Sequence, residues 1–279
     1  MNTQISQAKS ETPENTLSLR KGMDWKVALM SGLAGPGVPR IFTAAQFHEF
    51  VQRYRAGATA LTSREVSQQM TTAGALRRVS SGVFLNRRAS PPAEVAEVAS
   101  LIRSGAVISM HSVLGECGFL NNPSDVVTAV VPTSATKRPR LGEMSTSAGD
   151  RFQFFGVSEK FFPVSIQDRF ELYQPGRFCD TFRPEAALLQ WLHLSGMERS
   201  AMTAPPVDVD MSLLDSALLE RLSRRWKLEG ALEAWIAHAQ KSNFGEEPEV
   251  VMLPVSAPSI EAVDRASGAR ARMMALRSK

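Results

Sequence analysis

Residues 43–73 carry the clearest hydrophobic rhythm in the chain. Thr43-Ala44-Ala45-Gln46 has capping-box spacing, and Phe47, Val51 and Tyr54 follow at helical intervals, which predicts a helix of about twelve residues. A second box at Thr62-Ser63-Arg64-Glu65 opens another helix, with Val66, Met70 and Ala73 on one face and Arg64, Ser67, Gln68 and Thr71 on the opposite one. The chain then reads Leu76-Arg77-Arg78-Val79-Ser80-Ser81-Gly82-Val83-Phe84-Leu85, two β-prone runs around a Ser-Ser-Gly turn, the pattern of a tight hairpin. Helix, turn, helix, hairpin is the order of a winged helix-turn-helix. Ahead of it, residues 1–16 are polar and aperiodic and read as a disordered leader. A short helix is expected around residues 23–30. The run Ser31-Gly32-Leu33-Ala34-Gly35-Pro36-Gly37-Val38-Pro39 is a connector, since it lacks the Gly-Lys-Ser/Thr of a phosphate loop.

Beyond Pro91 the rhythm becomes mixed. Residues 92–103 predict a helix with Val95, Val98, Ala99 and Ile102 inward. A short apolar stretch, another short helix and a strand over 126–131 follow. Residues 134–150 read as a polar loop, and 151–157 and 169–173 as strands. Helices return at 184–194, 213–226 and 228–240, the second opened by a capping box at Ser212-Leu213-Leu214-Asp215. The expected fold class is α+β, an N-terminal winged helix-turn-helix followed by a mixed α/β second domain with a helical C-terminal part. The expected divisions are a leader at 1–16, a DNA-binding domain at 17–90, an α+β domain at 91–245 and a partly disordered tail at 246–279.

Charge sharpens the division. Residues 1–90 carry 12 Lys/Arg against 5 Asp/Glu, whereas residues 91–279 carry 20 against 23, so the cationic excess sits in the first third, as expected of one module that meets a polyanion. On this division a fragment from about residue 90 onward should fold alone and leave DNA unbound. No apolar run is long enough to span a bilayer, and the first fifteen residues have neither signal-peptide nor transit-peptide character, so a cytoplasmic location is expected. Cys117 and Cys179 lie far apart without metal-ligand spacing and read as core thiols.

Candidate chemistry concentrates on DNA. The exposed face of the second helix offers Arg64, Ser67, Gln68, Thr71 and Thr72, side chains able to reach base edges and phosphates in a major groove. Arg77 and Arg78 enter the hairpin and Arg87 and Arg88 leave it, so four guanidinium groups are expected close together, where phosphates would neutralise them. These nine residues form the candidate DNA-binding set. No catalytic set, metal site or cofactor site is recognised. His48, His111, His193 and His238 are scattered, the Ser134-Ala135-Thr136-Lys137 match to SxxK falls in a polar loop, and His111, Ser112 and Cys117 sit in a packing helix. Lys137-Arg138-Pro139-Arg140 reads as a solvated loop tip, and Trp191, Trp226 and Trp235 as core.

Four segments together resemble one family. Gly74-Ala75-Leu76-Arg77-Arg78-Val79-Ser80-Ser81-Gly82-Val83-Phe84 resembles the G-x-L-x-R-x-x-x-G-V-Y close of the winged helix in AbiEi-type antitoxins of abortive-infection, type IV toxin–antitoxin systems, with Phe84 in place of Tyr. Val107-Ile108-Ser109-Met110-His111-Ser112-Val113-Leu114, running into Gly118-Phe119-Leu120, is similar to the family's I-S-x-x-S-A-L…G-L. Arg183-Pro184-Glu185-Ala186-Ala187-Leu188-Leu189 is similar to its P-E-K-A-L-L-D helix, and Asp210 to Leu222 to the helical region that follows. The order covers roughly residues 40–240. Ala186 stands where the family has Lys, and Gln190 where it has Asp.

The resemblance implies a winged-helix repressor of its own operon whose second domain counters a cognate nucleotidyltransferase toxin. The expected protein is thus a non-enzymatic transcriptional regulator and antitoxin. Its partners would be double-stranded operator DNA, with inverted repeats seating a homodimer, and the toxin. Two alternatives stay open: a plasmid- or phage-encoded regulator with no toxin partner, and a metal-dependent nuclease whose carboxylates, such as Asp150, Glu159 or Asp180, meet only in three dimensions.

Overall fold

The structure is a computed structural model that describes residues 24–244, except 123, 135–139, 147, 198–201 and 208–209. The expected leader, the tail, and most of the SxxK match and of the second basic cluster lie outside the described residues. The fold is mixed α+β: N-terminal helices with a small antiparallel sheet in winged-helix order, a mixed sheet, then C-terminal helices. The chain divides into two units, Met1–Trp235 and Ile236–Lys279. The second is described only to residue 244.

The first part comprises α1 (Asp24–Gly32), β1 (Ile41–Thr43), α2 (Ala44–Tyr54), α3 (Ala60–Thr72), β2 (Leu76–Ser80) and β3 (Val83–Asn86). The box at Thr43 forms as its sequence predicts: Thr43 accepts from the Gln46 amide while the Gln46 side chain accepts from Thr43 N–H. The helix after it starts earlier than expected. Thr59, not Thr62, is its N-cap, accepting from Thr62 N–H. Ser63, Val66, Ser67 and Met70 form the buried stripe at i, i+3, i+4 and i+7, so Ser67 belongs to the inner face and Ala73 to the outer one.

The hairpin gains a third strand. β1 pairs with β3, giving the order β1-β3-β2, and all four residues of β3 are buried because the central strand is covered on both faces. One face carries Phe42, Leu76 and Phe84 into a core with Leu29, Phe47, Phe50, Val66 and Met70. The other carries Val79, Val83 and Leu85 into a cluster with Val98, Ile108, Ala129, Phe152 and Phe154, all from beyond residue 90. Asn86, fully buried at the end of β3, donates to Leu33 O and Pro39 O and accepts from Arg88 N–H, which pins the Gly/Pro connector to the sheet.

Beyond residue 90 the chain adds a 3-10 turn (Val95–Val98), α4 (Ala99–Ile102), β4 (Val107–Ile108), α5 (His111–Glu116), β5 (Val126–Thr133), β6 (Arg140–Ser145) and β7 (Arg151–Ser158). The strands order β4-β5-β7-β6, with β5 and β7 parallel and the other pairs antiparallel. The predicted helix over 92–103 is thus shorter, and the expected loop over 134–150 contains a strand. Residues 169–172 are helix, not strand: α6 (Ile166–Leu172) is capped by Ser165, which accepts from Asp168 N–H, and Tyr173 beyond it forms an isolated bridge to Phe182. A five-residue apolar alternation is too short to decide between the two.

α7 (Pro184–Ser195) is buried almost all round, α8 (Ser216–Trp226) packs beside it, and α9 (Glu229–Phe244) follows. The α8 cap is Asp215, which accepts from Leu218 N–H, so the helix starts later than the Ser212 box predicts. Trp191 and Trp226 are each 1% exposed, as their apolar stripes predict. Ala186 and Gln190, where the resembled family has Lys and Asp, are both fully buried, and Gln190 accepts from Ser109 Oγ. An uncharged pair suits that depth, because burying a lone charge is costly.

Candidate nucleic-acid interface

The first turn of α2, the outer face of α3 and the hairpin enclose a groove of about 590 Å³. Ala44, Phe47 and His48 line it from α2, Arg64, Ser67, Gln68, Thr71 and Thr72 from α3, and Arg78, Ser81, Gly82 and Phe84 from the hairpin. Six of the nine sequence-nominated residues meet here. Arginines but no carboxylates line the groove, so the local field favours an anion.

The six do not serve alike. Arg64, Gln68 and Thr72 are exposed, and no hydrogen bond engages their side chains among the described residues. Ser67 is 5% exposed and donates its hydroxyl to Arg64 O, and Thr71 Oγ1 donates to Ser67 O, each at 2.8 Å. These two form the floor, with their donors already used on the helix backbone. Arg78 Nε donates to Ser80 O at 3.3 Å, which aligns its guanidinium along the hairpin.

The four hairpin arginines do not all face the groove, unlike the sequence expectation. Successive residues on a strand face opposite ways. Arg78, paired across from Phe84, lies on the groove face. Arg77, across from Leu85, points to the other side and forms an ion pair with Asp150, their side chains 31% and 16% exposed. Thr146 Oγ1 donates to the second Asp150 oxygen at 3.0 Å. Arg87 and Arg88 are exposed beyond the end of β3, outside the groove, their backbone amides held by Ala75 O and Asn86 Oδ1.

Sequence reasoning missed His48, Ser63, Ser81, Gly82 and Ala44. The Gln52 amide nitrogen faces both His48 Nε2 at 3.1 Å and Ala58 O at 3.4 Å, which leaves His48 Nδ1 to donate to Ser63 Oγ at 2.8 Å. That chain locks α2 against α3. Gly82 has φ +76°, and a Cβ there would stand 3.3 Å from Ala44 Cβ, so the hairpin tip rests on the start of α2. No local pattern announces this contact, which depends on how the sheet folds back onto the helix.

The carboxylates weighed for metal chemistry are placed apart from this groove. Asp150 is held by Arg77 and Asp180 by Arg169, and no group of three metal-ligating side chains occurs among the described residues. Cys117 and Cys179 are free and half-buried, and burial pushes both thiols above their ordinary range. Among the described residues no helix is long and apolar enough to cross a membrane.

No family model matches the chain, and no curated protein matches it. Among solved structures it is similar to the RV2827C protein from Mycobacterium tuberculosis, with 15% identity, a TM-score of 0.48, and coverage of 77% of this chain and 79% of that one.

Proposed function

We propose that the chain is a DNA-binding transcriptional regulator whose groove between α2, α3 and the hairpin receives the duplex. The observation that carries this reading is the meeting of six nominated residues in a groove lined by arginine and no carboxylate. α3 would lie in the major groove, with Arg64, Gln68 and Thr72 toward base edges and Arg78 on a phosphate. The start of α2 adds the positive end of a helix dipole beside it. Inverted repeats would seat a homodimer, each copy on one half-site. The test is binding of the DNA upstream of the chain's own gene at two salt concentrations, with groove variants alongside.

The finer reading, an antitoxin that opposes a cognate nucleotidyltransferase toxin, is supported by the four ordered motifs between residues 40 and 240. It predicts that the chain rescues cells expressing a nucleotidyltransferase encoded beside its gene. Rescue lost in an Arg64→Ala, Arg78→Ala variant would assign protection to repression. Rescue retained would assign it to the region beyond residue 90.

A further inference from the structure

A second depression, of about 550 Å³, lies among residues from the turn before β4, from α6 and from the loop that follows α6. Phe162, Tyr173 and Phe178 supply aromatic walls, and Arg169 and Arg177 line it with Asp180. Each arginine holds a single carboxylate, Asp180 for Arg169 and Glu116 for Arg177, while a guanidinium carries five donors. Tyr173 is 8% exposed, yet its hydroxyl has no hydrogen-bond partner among the described residues. Burial pushes that phenol up to about 12, so it stays a donor throughout the physiological range. The hydroxyl itself is not fully covered, so it can donate into the depression, beside the arginines and the flat apolar walls.

We propose that this depression is a binding site for a small aromatic carboxylate: the ring lies against Phe162 and Phe178, and the carboxylate accepts from Tyr173 Oη and Arg177. The site also touches the joint with the winged helix. Glu97 lines it and accepts from Arg40 Nη2 at 2.8 Å, and Phe178 lies 3.4 Å below the Arg40 guanidinium. Arg40 immediately precedes β1. A ligand that fixes Phe178 would therefore fix the Arg40 contact and steady β1.

The inference stands apart from DNA binding, and its test uses the full chain without DNA. Titration calorimetry with benzoate should show saturable binding to one site, tighter than about 1 mM. Benzamide and benzylamine should bind at least tenfold more weakly. Arg177→Ala and Tyr173→Phe, changes at a surface side chain and of one hydroxyl, should each weaken benzoate at least tenfold. Hydrogen exchange of residues 40–43 should slow when benzoate is bound. Absence of benzoate binding, equal binding of benzamide, or affinity unchanged in both variants overturns the site. Unchanged exchange at residues 40–43 with benzoate bound overturns its link to β1.

Discussion

Arg77 and Asp150 form an ion pair that crosses from the hairpin to the start of β7, with both side chains mostly covered. Neighbouring Arg78, one residue along the same strand, faces the groove instead. The strand's alternation thus gives two adjacent arginines separate places, one fastening the hairpin to the second sheet and one facing the groove. Arg77→Ala should cost about 1–3 kcal/mol of stability, the range for a charge-assisted hydrogen bond, and leave the salt dependence of DNA binding unchanged. Urea unfolding and a salt titration read the two effects. A flattened salt dependence in Arg77→Ala would return Arg77 to the interface.

Gln68→Ala tests base reading. Gln68 is exposed on the groove wall, and a base-edge contact is worth about 1–3 kcal/mol of discrimination. The variant should bind intact and mutated operator with more similar affinities, as measured by fluorescence anisotropy. Equal losses on every sequence would place Gln68 against the backbone.

The helix, helix, hairpin order is legible in the sequence, because Phe47, Val51, Val66 and Met70 repeat with helical period and Gly82 marks the turn. Ser67 is misplaced because the apolar stripe through Val66, Met70 and Ala73 is rotated from the buried one through Ser63, Val66, Ser67 and Met70, and a serine gives no apolar signal that it faces inward. The role of Arg77 is invisible locally, since Asp150 lies 73 residues away. β6 hides for a similar reason: it is an edge strand, and only its pairing with β7 reveals it.

The shared core bears on where the chain can be cut. Val79, Val83 and Leu85 pack with Val98, Ile108, Ala129, Phe152 and Phe154, and Arg40 holds Glu97 across the same joint. The strands and amphipathic helices read from the sequence beyond residue 90 suggest that this part folds independently. The packing predicts otherwise: cutting between residues 90 and 91 strips apolar cover from both pieces, at about 1.5–3 kcal/mol for each large side chain uncovered. Residues 91–279 alone should unfold at a Tm well below that of the whole chain and bind a hydrophobic dye. A cooperative transition at the intact chain's Tm would refute the shared core.

Stability should fall between neutral pH and about pH 5. Burial lowers the pKa of His111, whose ring lies tilted 3.7 Å from that of Trp191, and of His193, where nearby Lys160 adds to the effect. Both folded values lie below the ordinary 6.5 of an imidazole, so the unfolded chain takes up protons first as the pH drops through that value. The stability these rings contribute is complete above about 6.5 and is lost on acidification. His111→Gln with His193→Gln should flatten the Tm–pH curve between pH 7 and 5. An identical slope in that variant would place the proton uptake elsewhere.

DNA binding in the groove between α2, α3 and the hairpin is open to a direct test. The most direct measurement is the salt dependence of binding to the upstream DNA of the chain's own gene for the wild type and for Arg64→Ala with Arg78→Ala. Each phosphate contact contributes about 0.9 to the slope of log K against log salt on B-DNA. The double variant should bind more weakly, with a slope shallower by about 0.9 for each arginine that meets a phosphate. Wild-type affinity and slope in the folded double variant would contradict it.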